Sequence, residues 1–111
     1  MEEISEDVKE NVVKFQTYQQ QLQSILIQRE SLRLQSFEVE RALEELEKTN
    51  QENAYKIAGQ IMILKSVDEL KKELNRTKED IKVRVNSLEK MEKKITDRLK
   101  ELQEKLKDVI K

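Results

Sequence analysis

The sequence predicts a mainly α protein: a long antiparallel two-helix coiled coil with one β-hairpin between the helices, the hairpins of several subunits assembling into a β-barrel. Three observations carry this. Charged residues make up 41% of the 111 positions and hydrophobic ones 36%, with one glycine and no proline, which is too little apolar matter for a globular core and almost nothing to interrupt a helix. Apolar residues recur in alternating steps of three and four along both halves. Between the halves lies a single stretch, 50–66, that breaks this period.

In the first half the recurring positions are Val8, Val12, Phe15, Tyr18, Leu22 and Leu26, then Leu32, Val39, Leu43 and Leu46. They predict one helix over 5–50. Taken through Leu26, the row meets two successive steps of three at Arg29 and Leu32, so a local overwinding is expected there, with Arg29 against the seam.

In the second half every seventh residue is apolar: Val67, Leu74, Ile81, Leu88, Ile95, Leu102 and Val109. A helix over 67–110 follows. Its expected partner row, Leu70, Thr77, Arg84, Met91, Arg98 and Lys105, is mixed, so the seam should be half apolar and half polar and easy to splay. Ser66 and Glu69 form a capping box at the helix start, and Asp68 and Glu69 suit the positive end of the helix dipole.

The interruption reads as a β-hairpin over 54–65. Gly59 sits where a tight turn needs positive φ, and Ala54 to Ile57 and Gln60 to Lys65 are short and rich in β-formers. Helices of similar length on either side, each about 65 to 70 Å at roughly 1.5 Å per residue, can fold back on each other as a single domain spanning 1–111. Charge agrees: the acidic end of the first helix (Glu38, Glu40, Glu44, Glu45, Glu47) would lie beside the basic start of the second (Lys71, Lys72, Arg76, Lys78, Lys82).

Ile61, Met62, Ile63 and Leu64 are consecutive, so both faces of the second strand are apolar. Two helix ends cannot cover both. Burying these four with Tyr55 and Ile57 would contribute roughly 1.5 to 3 kcal/mol apiece, and an isolated hairpin is marginal in water with edges that invite strand pairing. Tyr55, Ile57, Gly59, Ile61, Met62, Ile63 and Leu64 are therefore the expected oligomerisation residues.

Several chemistries are disfavoured by composition. Histidine and cysteine are absent, which removes the usual nucleophile and base pairs and thiolate or imidazole metal sites; no enzyme activity, metal or cofactor is expected. One glycine cannot build a phosphate-cradling loop. The 22 basic and 23 acidic residues are mixed along the chain, with a formal net charge of −1, so neither nucleic acid nor membrane is an expected partner. The longest apolar run, Ile61 to Leu64, is far short of a membrane span, and Met1-Glu2-Glu3 is unlike a signal peptide's basic start. A cytoplasmic location is expected.

The run Ala54-Tyr55-Lys56-Ile57-Ala58-Gly59-Gln60-Ile61-Met62-Ile63-Leu64, followed by Val67-Asp68-Glu69-Leu70 and preceded by Ala42-Leu43-Glu44-Glu45-Leu46, resembles the β-class subunits of archaeal prefoldin. Family members usually carry Val before the Tyr-Lys pair, where this chain has Ala54. One short hairpin rather than two points away from the α class. The resemblance implies a hexamer of two α and four β subunits, with hairpins forming a double β-barrel body. It also implies an ATP-independent holdase that captures unfolded polypeptides at the coiled-coil tips and delivers them to a group II chaperonin.

Antiparallel helices would bring Ile4, Val8, Val12 and Val13 beside Leu99, Leu102, Leu106, Val109 and Ile110, far from the hairpin. These are the candidate client-binding residues. Val13, Leu99, Leu106 and Ile110 are expected off the seam and available to a client, with Arg98 and Lys105 easing the splay; the plainer alternative is that they only widen the coiled-coil core. The rival function is a structural coiled-coil scaffold or tether without client-holding activity.

Overall fold

The computed structural model describes residues 5–110 and their side chains through residue 107. Its elements in order are α1 (Glu6–Lys48), β1 (Asn53–Ala58), β2 (Ile61–Ser66) and α2 (Val67–Ile110). The chain forms two compact units, one of Met1–Glu30 with Asn86–Lys111 and one of Ser31–Val85.

Both helices start on a serine. The Ser5 hydroxyl accepts from the Val8 amide at 3.2 Å and the Ser66 hydroxyl from the Glu69 amide at 3.1 Å, each satisfying an amide that has no partner within the helix. Acidic pairs follow, Glu6 and Asp7 in α1, Asp68 and Glu69 in α2. α1 ends at Lys48, two residues before the expected Asn50, because the chain turns at Thr49, whose hydroxyl accepts from the Gln51 amide at 3.2 Å.

In the Ser31–Val85 unit, Leu32, Val39, Val67, Leu70 and Ile81 are buried, and Leu43, Leu46 and Leu74 half-buried. Lys71 lies 3.5 Å from Glu47, and Lys78 lies 3.9 Å from Glu40. Moving from the first pair to the second goes backward along α1 and forward along α2, so the helices here are antiparallel, with the acidic end of α1 beside the basic start of α2.

In the other unit the buried residues are Ile25 on α1 and Leu88, Ile95, Leu102 and Leu106 on α2. Arg29 donates to Glu92 across the helix pair, and both side chains are about one-third exposed.

Burial corrects the seam at two places. On α1, Ile25 is 3% exposed and Leu26 39%, so the row runs Leu22, Ile25, Arg29, Leu32 in regular steps of three and four, and there is no phase slip. Arg29 faces the seam because it occupies a regular seam position. On α2 the expected partner row gives way beyond Leu70. The half-buried or buried positions are Val85, Glu92, Leu99 and Leu106, whereas Arg84, Met91, Arg98 and Lys105 are exposed. From Ile81 onward the side of the seam that α2 supplies is therefore apolar except for Glu92, rather than half polar.

β1 and β2 form a two-stranded antiparallel sheet with Asn53 opposite Ser66 and Ala58 opposite Ile61. The connection is Gly59-Gln60, with Gly59 at φ 61° and no other residue at positive φ among those described, the pattern of a type II′ turn led by glycine.

Candidate functional site

Strand alternation sorts the hairpin into two faces. Opposed residues share a face, so Tyr55 with Leu64 and Ile57 with Met62 make one. This face is apolar and open to solvent, Ile57 being 74% exposed. The other face carries Ala58 with Ile61, Lys56 with Ile63 and Ala54 with Lys65. At its base it meets α2: Lys56 donates to Glu73 at 3.2 Å, and Lys65 donates to the same carboxylate.

These two lysines hold the Glu73 carboxyl below its ordinary range, the hydrogen bond from Lys65 contributing most and that from Lys56 next. The hairpin is thereby tied to α2 through both strands. A backbone bond from the Val67 amide to the Glu52 carbonyl, 2.8 Å, closes its base. Between the hairpin base and the helices is a cleft of about 580 Å³ lined by Leu46, Ala54, Tyr55, Leu70 and Leu74 among others.

All six apolar hairpin side chains expected to mediate oligomerisation are exposed in the single chain: Tyr55, Ile57, Ile61, Met62, Ile63 and Leu64. Ile63 is the least so. Six such side chains together on one hairpin form an apolar surface of the kind that marks an interaction site.

The residues expected to hold a client divide differently. Val12 and Val13 are exposed, and Val8 is half-buried. Leu99 is half-buried, and Leu102 and Leu106 are buried. The expectation that Leu99 and Leu106 stand off the seam is therefore corrected: stepping by four from Ile95 and Leu102, they complete the apolar row that closes on α1. Ile4 lies outside the described residues, as do the side chains of Val109 and Ile110.

Sequence reasoning missed two features. Glu73 as the shared acceptor of Lys56 and Lys65 has no local signal, since 17 and 8 residues separate the partners. The apolar residues on the far side of α1, Ile27, Leu34 and Phe37, are all exposed; they could have been found as apolar positions left over once the seam is assigned.

Comparison with known proteins gives one family. The prefoldin subunit family model matches residues 9–111. The chain is 34% identical to the prefoldin subunit beta of Archaeoglobus fulgidus, covering 99% of this chain and 96% of that one, and 33% identical to that of Thermococcus onnurineus, covering 100% and 97%. The crystal structure of the prefoldin beta subunit from Thermococcus strain KS-1 matches with a TM-score of 0.84 at 32% identity, over 98% of this chain and 96% of that one. Two capped helices joined by a single apolar hairpin, matched almost end to end, place the chain in the prefoldin subunit family, where it is similar to archaeal beta subunits.

Proposed function

We propose that this chain is a subunit of a hetero-oligomeric, ATP-independent holdase, joined to its neighbours by the hairpin and holding unfolded polypeptides at the coiled-coil tips, through the start of α1 and the end of α2. Membership of the prefoldin subunit family supports a chaperone-type role and assembly with a different subunit type. The observation that carries the assembly half is the exposure of both hairpin faces, with Tyr55, Ile57, Met62 and Leu64 on one and Ile61 and Ile63 on the other. Hydrophobic burial of this size has no place to go within one chain.

Neighbouring hairpins closing into a shared barrel would cover both faces and pair the strand edges at once. The partners proposed are an α-class subunit and further copies of this chain, two and four in a hexamer, with a group II chaperonin receiving the client.

For client holding, Val12 and Val13 are offered directly. Val8, Leu99, Leu102 and Leu106 would join them as the helix ends part, exchanging their place in the seam for contact with the client, and Ile4, Val109 and Ile110 are proposed to act with them. Shallow, shifting apolar contact of this kind suits many sequences, and the surrounding lysines and glutamates keep it wet and reversible.

The test is suppression of aggregation of a chemically denatured model protein by the assembled complex without nucleotide. Suppression is expected, and trimming the residues before Val12 and after Leu102 should abolish it while assembly survives. A structural tether would assemble and suppress nothing.

A further inference from the structure

The hairpin runs into α2 with no intervening loop, β2 ending at Ser66 and α2 starting at Val67. At that junction the Ser66 hydroxyl caps the helix and the Val67 amide reaches the Glu52 carbonyl. Beyond it, the Glu73 carboxylate is the one hydrogen-bonded tie from the strands to α2 among the described residues. Glu73 stands about 9 Å along the helix axis from Val67, and it is met by one lysine from each strand. Lys56, opposite Ile63, and Lys65, opposite Ala54, share a face of the hairpin. A tie to each strand, set away from the junction, resists both tilt and twist.

Tilt matters because the hairpin is long for its base. Its strands have six residues each. They reach about 20 Å at roughly 3.3 Å per residue, so a tilt of about 15° at the base carries the Gly59 turn about 5 Å sideways, a whole strand spacing. A hairpin free to swing that far meets a neighbour with its edges and its Tyr55 face out of place. Its apparent affinity then falls by the fraction of time it is correctly placed.

We propose that Glu73 is a positioning residue for assembly: by drawing Lys56 and Lys65 to one carboxylate, it presets the angle at which the hairpin meets the hairpins of neighbouring subunits. This rests on the reading of the hairpin as the assembling element. It adds that the apolar hairpin residues join weakly without a charged group that touches no neighbour itself. The two lysines contribute unequally. The Lys65 side chain is 27% exposed against 46% for Lys56, so less water competes for its bond and it carries the larger share.

Sedimentation equilibrium of the full chain mixed with an α-class prefoldin subunit reads the assembly constant. Glu73→Gln should weaken assembly about five- to tenfold, the worth of two partly exposed ion pairs, with Lys65→Met next and Lys56→Met least. The gap between the parent and Glu73→Gln should narrow as salt rises, because salt screens the ion pairs that only the parent has. Reversing all three charges in Lys56→Glu/Lys65→Glu/Glu73→Lys should recover most of the loss, which a merely disturbed helix would not. In diluted, unassembled chains the amides of 54–56 should exchange faster in Glu73→Gln than in the parent. Equal assembly of the parent and Glu73→Gln overturns the inference and leaves hairpin assembly standing. Weakened assembly with unchanged amide exchange in the diluted chains also overturns it, since Glu73 would then be a direct contact to a neighbour. So does failure of the triple reversal to recover assembly. A parent that does not assemble overturns both the inference and the reading beneath it.

Discussion

Lys65 on β2 donates a hydrogen bond to Glu73 in the second turn of α2, and Lys56 on β1 reaches the same carboxylate at 3.2 Å. One side chain thus sets the attitude of both strands to the helix that follows them. Its carboxyl is held below the ordinary value of 4.5 by these bonds, so its contribution is fully present above that value and is lost as pH falls through the lower, folded-state value. In Glu73→Gln the amides of 54–56 and of Lys65 should exchange with solvent faster at neutral pH. The wild-type chain should show the same loosening only in acid, and high salt should mimic it in part. Hydrogen exchange followed by mass spectrometry checks all three.

Arg29 and Glu92 are the one charged layer in the seam as described, and each side chain is about one-third exposed. Removing one partner leaves a partly buried charge. Arg29→Leu or Glu92→Leu alone should cost on the order of 1 kcal/mol, discounted for solvent access, while Arg29→Leu/Glu92→Leu should match or exceed the parent. Urea unfolding of the four proteins gives the cycle.

The phase of α1 has its own test. Ile25→Ala removes a buried side chain and should destabilise by about 2 to 4 kcal/mol, whereas Leu26→Ala, one residue on, should cost about 1 kcal/mol or less. Thermal unfolding distinguishes them. Equal effects would mean that the seam runs between the two.

Gly59 has φ 61° and open space around the position of an added Cβ. Gly59→Ala meets no steric neighbour, yet should destabilise the hairpin by about 1 kcal/mol from the left-handed backbone alone, and Gly59→Asn by less. Melting temperatures of the assembled complex are the measurement.

These same residues mark what could be read from the sequence. The hairpin was legible because Gly59 is the only glycine and the four consecutive apolar residues after it break the helical period. The α2 row from Val67 to Leu102 was legible because it is apolar at every seventh place. The phase of α1 was not: Ile25, Leu26 and Ile27 are all apolar, so composition cannot say which one turns inward, and choosing Leu26 created a slip that does not exist. The α2 partner row failed for a related reason. Steps of three and of four are both helical, and only packing against α1 selects Val85, Leu99 and Leu106 over Arg84, Arg98 and Lys105. The outward face of Leu34 and Phe37 could be recognised only after that seam was known.

The most direct measurement is sedimentation equilibrium of the chain, alone and mixed with an α-class prefoldin subunit, combined with amide exchange across 53–66 and repeated with Ile61→Asp/Ile63→Asp. The expected result is a multimer with slowly exchanging hairpin amides, reduced to separate chains with fast-exchanging ones by the two aspartates. A parent chain that stays monomeric in both settings while its hairpin amides remain protected would contradict it.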